Sequence, residues 1–193
     1  MRISGGAARG VTLTVPKGDA VRPATDGMRQ AVFSSLAARV PGAVFLDLFA
    51  GSGAYGLEAL SRGAAGGTFV EKNSKATACL RQNVAAVCKS LRREESGLKV
   101  LQGDVLEWAL TVVESAPDLV FIDPPYEIIE DVAPKVFARL SDLLEAVRDP
   151  VVVFEMPGVI TLKPEGWTCV KRLGGSGPRQ PAVAFFRASQ ALI

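Results

Sequence analysis

LDLFAGSGAYG, residues Leu46 to Gly56, opens as an apolar run carrying one acid, Asp47, and passes through a glycine-rich turn into a helical pattern that begins at Ala54. Such a stretch is a buried strand, a tight loop and a helix start. Gly51 and Gly53 let the backbone bend sharply and approach a ligand, where a Cβ would block the turn or the contact. The free N–H groups of the helix start then face whatever is bound. The spacing Gly51-x-Gly53-x-x-Gly56 also matches the dinucleotide fingerprint, although glycines that only tighten a strand-to-helix turn read the same way. The flanking sequence has to decide between the two.

Downstream, Gly67 to Glu71 reads as a second strand, and from Ser74 a long helix sets Leu80, Val84, Val87 and Leu91 on one face. A third strand spans Leu98 to Leu101. Asp104 then opens another helix, with Glu107 as a capping-box-like partner. Asp118 to Ile122 is a fourth strand, followed by a helix from about Val132 to Val147 with Val136, Leu140, Leu143 and Leu144 facing inward. Val151 to Glu155, Trp167 to Leu173 and Ala182 to Arg187 make seven strands in all. This alternation predicts an α/β fold, a mostly parallel sheet with helices on both faces. The turn-rich GGSGPRQP before the last strand predicts a hairpin and hence an antiparallel edge strand.

Upstream, Met28, Val32, Phe33 and Leu36 keep helical spacing up to Val40, where Pro41-Gly42 stops it, and Thr25 or Asp26 can cap the start. Residues 1 to 16 read as a small N-terminal β-hairpin, with turn signals at Gly5-Gly6 and Arg9-Gly10 and alternation from Val11 to Val15. So small an apolar face must lean on the main domain or on a partner. The expected division is a hairpin extension over residues 1–20 and one domain over 21–193.

At 193 residues, 48% hydrophobic and 22% charged, the chain has the makeup of an ordinary soluble globular domain. Its N-terminus lacks the hydrophobic core of a signal peptide and no apolar run approaches the roughly 18 residues of a membrane span, so a cytoplasmic location is expected. No exposed apolar stripe demands a dimer, and a monomer is expected. Cys79, Cys88 and Cys169 are odd in number, without C-x-x-C spacing, and suit reduced, buried thiols. The absence of histidine removes Ser-His and Cys-His nucleophiles and every His-ligated metal, and no metal is expected. Net charge is +2 but uneven: +4 over residues 1–42, −5 over 43–150 and +3 over 151–193. Basic ends around an acidic middle are compatible with a polyanion touching both ends, or with plain solvated charge.

Acids stand at or near four strand ends: Asp47, Glu71, Asp104 and Asp123. In such sheets ligands bind beyond the carboxyl ends of the strands. Crowded carboxylates repel and are costly to desolvate, so a cationic ligand rich in hydroxyl and amino donors accounts for them. Glu71, 20 residues after Gly51, has the spacing of an acid that accepts from ribose hydroxyls. Asp123-Pro124-Pro125-Tyr126 adds a stiffened loop: its prolines break ladder bonding and fix the carbonyl directions. An acid beside a rigid carbonyl makes two acceptors for a flat amino group, and Tyr126 offers a ring for a nucleobase to stack on.

DLFAGSGAYGLEALSRGA followed by FIDPPY resembles the Rossmann-like class I, S-adenosylmethionine-dependent methyltransferases whose D/N-P-P-Y/F motif methylates exocyclic amino groups. With the upstream RGVTLTVP and RPATDGMRQAVFSSL it is similar to the RsmD family, which methylates a guanine N2 in small-subunit (16S) ribosomal RNA. The resemblance implies S-adenosyl-L-methionine as cofactor and ribosomal RNA, as such or in an assembling small subunit, as partner. It implies that the loop residues Phe49, Ala50, Gly51, Ser52 and Gly53, together with Asp47, hold the methionine end, and that Thr25 is a further cofactor-binding residue. It further implies that Glu71 takes the ribose and Asp104 the adenine, with Lys72 and Val105 as neighbouring cofactor-binding residues, and that Asp123, Pro124, Pro125 and Tyr126 hold the target amine. The basic N-terminal part supplies the candidates for the RNA backbone: Arg2, Arg9, Lys17, Arg22 and Arg29. Three other readings stay open on sequence: an adenine N6-methyltransferase on DNA or other RNA, a nicotinamide-dependent oxidoreductase, and a non-catalytic RNA-binding assembly factor.

Overall fold

The computed structural model describes residues 1–16, 26–107, 116–145, 147, 149–178 and 180–189. In chain order these form α1 (Asp26–Ser35), β1 (Val44–Leu48), α2 (Ala54–Ser61), β2 (Gly66–Glu71), α3 (Ser74–Leu91), β3 (Leu98–Gln102) and β4 (Leu119–Ile122). A one-turn 3₁₀ segment, Tyr126–Ile128, leads into α4 (Ile129–Leu144), and β5 (Val151–Pro157), β6 (Trp167–Gly174) and β7 (Pro181–Ala188) follow. One seven-stranded sheet results, in the order β3-β2-β1-β4-β5-β7-β6. β1 to β5 pair in parallel, and β7 runs antiparallel between β5 and β6. The expected hairpin is therefore the edge of the sheet, with its second strand inside and β6 outermost. Exposed Lys171 and Arg172 blunt that open edge.

The inner strands β1, β2, β4, β5 and β7 are buried on both faces because successive residues are apolar, whereas β3 is half-buried and β6 mostly exposed. Phe45, Phe121 and Val153 join Val32 and Phe33 of α1, Leu57 and Leu60 of α2, and Leu80 and Val84 of α3. Leu46, Ile122 and Phe154 face the other way, onto Val136, Phe137 and Leu140 of α4. Asp47, Asp123 and Glu155 have the parity of the first face. The N-terminal segment pairs with itself through one bridge, Arg2 with Thr12, and inserts Ile3, Ala8 and Leu13 into the first core.

Asn73 caps α3, its side-chain Oδ1 accepting from the N–H groups of Lys75 and Ala76 at 2.9 and 3.0 Å. Gly56 fits only because it is glycine: a Cβ there would stand 2.4 Å from Phe69 and 2.6 Å from Phe45. Several expectations are corrected. α1 ends at Ser35, five residues before Val40, in turns that lead to Pro41-Gly42. The fourth long helix is displaced by one turn toward the N-terminus, because the 3₁₀ segment after Pro125 nucleates it early. Cys88 is buried, but Cys79 is half-buried and Cys169 exposed on the edge strand, so burial is not shared by all three thiols. The helix expected after Asp104 continues into residues outside the described ones. Among the described residues no helix is long and apolar enough to cross a membrane.

Candidate functional site

The strand order reverses between β1 and β4, and the crevice beyond their carboxyl ends is where an open α/β sheet binds ligands. The chain leaves β1 through Phe49 at φ 58°, Gly51 at φ 54° and Gly53 at φ 81°, a run of left-handed residues that turns it back into α2. Phe49, a non-glycine in that region, stores backbone strain where function concentrates. The loop is tied down from several sides. Ala50 N–H donates to the Val70 carbonyl at 3.0 Å. Gly51 N–H donates to Glu71 Oε2 at 2.8 Å, and Asn73 N–H to Glu71 Oε1 at 2.7 Å. Asn83 from α3 donates to the Ser52 carbonyl at 2.9 Å.

Beneath the loop, buried Asp47 accepts the Gly56 N–H at 2.9 Å. From β4, Asp123 N–H reaches back to the Leu48 carbonyl at 3.4 Å, so the tetrapeptide starts beside the loop. Pro124 is buried and Pro125 exposed, and Tyr126 is 38% exposed. At the ends of β2 and β3, Lys72 Nζ donates to Asp104 Oδ2 at 2.7 Å while Oδ1 takes the Leu106 N–H at 2.8 Å. Val105 is buried in the α4-side core. The expected cofactor and amine residues that are described thus gather at one end of the sheet.

The family described as conserved hypothetical protein 95 matches residues 1–176. The chain belongs to the RsmD family. It is 38% identical over 126 residues to ribosomal RNA small subunit methyltransferase D of Escherichia coli (strain K12), across 65% of this chain and 60% of that protein's length. To the protein of the same name in Haemophilus influenzae it is 29% identical over 174 residues, across 89% and 86%. The solved structure of a hypothetical protein of Thermus thermophilus matches with a TM-score of 0.74 at 31% identity, covering 96% of this chain and 98% of that one. The fold is that of the class I methyltransferases.

In this member of the family the crevice carries more acid than base. Burial pushes the Asp47 carboxyl up to about 8, with Glu71 adding repulsion and the Gly56 N–H only partly offsetting it. Asp123 is pushed well up by burial and by Glu155 and Asp47, against the pull of Arg29. Burial also raises Glu155, while the Tyr55 hydroxyl and Arg29 draw it back. Partial burial, Glu155 and Asp123 lift the Tyr126 phenol to about 12, so its ring shares the crevice with those acids. Lys72, by contrast, holds Asp104 below the usual carboxylate range.

Two residues that sequence reasoning missed complete the group. Glu155, on β5, is 2% exposed and accepts the Tyr55 hydroxyl at 2.6 Å. Tyr55 stacks on Phe121 at 5.4 Å. The signal for Glu155 was present: it is the one charged residue of the otherwise apolar VVVFEMP.

The RNA candidates among the described residues, Arg2, Arg9 and Arg29, are not brought together. Arg29, expected on an RNA-facing surface, is 0% exposed; it bonds to Asp26 Oδ1 at 2.5 Å and to the Arg2 carbonyl at 2.9 Å. It is a cation of the site's interior, because α1 turns its basic residue toward the acids it offsets. Arg2 is exposed near that bond, whereas the exposed Arg9 lies in the turn that docks on Ser61, at the far end of α2. Lys17, Arg22 and Thr25 lie outside the described residues. A hollow lined by Gly66, Gly67 and Gly97 at the opposite end of the sheet holds none of the acids of the crevice.

Proposed function

We propose that the chain is an S-adenosylmethionine-dependent methyltransferase that modifies the exocyclic amino group of a guanine in small-subunit (16S) ribosomal RNA, free or in an assembling subunit. The observation that carries this reading is Asp123-Pro124-Pro125-Tyr126 standing beside the left-handed glycine loop at the switch point, amid buried carboxylates in excess of cations. The relatives' names, ribosomal RNA small subunit methyltransferase D, support the substrate.

The residues present fit the cofactor. Asp47 is a buried carboxyl that one backbone N–H leaves undercompensated, which suits a cationic ligand. Glu71 spends one lone pair of each oxygen on Gly51 and Asn73, fixing its orientation and leaving acceptors for a diol. When bound, S-adenosylmethionine supplies an electrophilic methyl group to a nucleophile lying in line with the S–C bond.

A guanine amino nitrogen is a poor nucleophile because its lone pair is delocalised into the ring. Asp123 and the Pro124 carbonyl, accepting its two N–H groups, favour a more tetrahedral nitrogen and aim the lone pair. Tyr126 holds the base by stacking once it has left its own stack, a lower cost in single-stranded RNA than in a duplex. Proton loss follows transfer, so no strong base is required at the amine.

Nucleoside mass spectrometry of small-subunit RNA from cells with and without the protein tests this. The expected outcome is loss of one N2-methylguanosine without the protein, and the same loss with Asp123→Ala. An unchanged guanosine profile rejects the substrate, and loss of N6-methyladenosine instead moves the target to adenine.

A further inference from the structure

The proposed reaction gives Asp123 its task but not the means by which a half-buried, rotatable carboxyl presents one oxygen to the amine. β4 and β5 pair in register through Ile122 and Phe154, so the next residue on each strand, Asp123 and Glu155, stand side by side on the α2 face. Glu155 is fixed from beneath by the Tyr55 hydroxyl, and Tyr55 is itself fixed by its ring against Phe121. On β7 the residue opposite Glu155 is the apolar Val183.

We propose that Glu155 is the positioning residue for Asp123: anchored by Tyr55, it accepts the Asp123 O–H and so turns the other Asp123 oxygen toward the incoming amine. This rests on the methyltransferase reading above. Two carboxylates this close in a buried site do not both ionise. The groups facing them are Tyr55 from α2, Arg29 from α1, Asp47 from β1 and Tyr126 beyond β4. Arg29 favours charge on both carboxyls, but the Tyr55 hydroxyl favours the charged form of Glu155 alone, while Glu155 and Asp47 oppose charge on Asp123. The shared proton therefore resides on Asp123. A neutral Asp123 offers the amine a carbonyl, as the asparagine of an N-P-P-Y motif does, and its hydroxyl has an acceptor waiting. Uncoupling the pair consists of the Asp123 O–H bond breaking and its proton passing to water, which Glu155 disfavours by holding its own negative charge.

The test is a ¹³C-carboxyl NMR titration of Asp123 in the cofactor-free protein, with methyl transfer to small-subunit RNA followed in parallel. With Glu155→Gln the neighbouring charge is gone, and the Asp123 midpoint falls by about one pH unit or more, a tenfold change in proton affinity. Tyr55→Phe keeps the ring and shifts the midpoint the same way by less, which covers the case of a poorly folded Glu155→Gln protein. In turnover, Glu155→Gln lowers kcat at neutral pH and recovers toward low pH, with KM for S-adenosylmethionine unchanged, and Asp123→Asn keeps more activity than Asp123→Ala. An unmoved Asp123 midpoint in both variants, or a drop in thermal stability with the pH profile of kcat intact, overturns the role of Glu155. Failure of the wild-type protein to methylate the RNA would instead reject the function and leave the titration result standing.

Discussion

Asp47 shows how one buried acid ties ligand binding to stability. Its folded pKa of about 8 lies above the unfolded value of 3.8, so between those limits the unfolded chain has released a proton that the folded chain retains. Stability therefore falls as pH rises through that window, by up to on the order of 5 kcal/mol for this group alone. Asp123 and Glu155 are raised too and add a slope of the same sign. The melting temperature of the cofactor-free protein is expected to decline from pH 3.8 toward about 8. Asp47→Asn flattens that decline, and so does saturating S-adenosylmethionine, whose positive charge favours the ionised carboxylate. A profile unaltered by either would show that Asp47 titrates normally. The acid itself was legible in LDLFAGSGAYG, but its protonation was not, since that depends on what the fold packs around it.

At the level of elements, one side chain joins three pieces of the fold. Asn83 of α3 is 1% exposed; its Oδ1 accepts the Thr14 N–H at 2.8 Å, and its Nδ2 donates to the carbonyls of Thr14 and Ser52, each at 2.9 Å. It thereby clamps the N-terminal segment and the glycine loop to the same helix. Asn83→Leu removes these bonds while keeping the branched outline of the side chain and is expected to cost about 2–3 kcal/mol, read as a lower urea midpoint with an unchanged slope. It also weakens S-adenosylmethionine binding, because Ser52 loses its tether. The helix was legible from its apolar spacing, yet Asn83 reads there as one more polar residue. Only packing against two distant backbone segments gives it a role.

For the molecule as a whole, the exposed Arg2 and Arg9 sit at different places along the N-terminal segment, so an RNA strand touching both must run along it rather than enter the crevice alone. Replacing both with alanine is expected to lower the slope of log affinity against log salt by about 1.4, roughly 0.7 per lost single-strand phosphate contact. S-adenosylmethionine affinity stays unchanged. Equal slopes for the two proteins would remove these arginines from the RNA footprint. The balance of +4 over residues 1–42 pointed to such a surface, but it counted Arg29 as part of it. Charge summed along a chain cannot tell a cation on the outside from one folded against acids.

The sequence by itself determined the seven strands, the sharp turn after β1 and the position of the D-P-P-Y loop, because apolar periodicity, glycine and proline act over a few residues. Tertiary structure alone decided that Glu155 stands beside Asp123, that Tyr55 anchors it, and that Arg29 lies inside. Those contacts join residues far apart along the chain, 32 positions for Asp123 and Glu155 and 100 for Tyr55 and Glu155. They exist only once parallel strands fix a register, and no local pattern encodes which side chains that register makes neighbours.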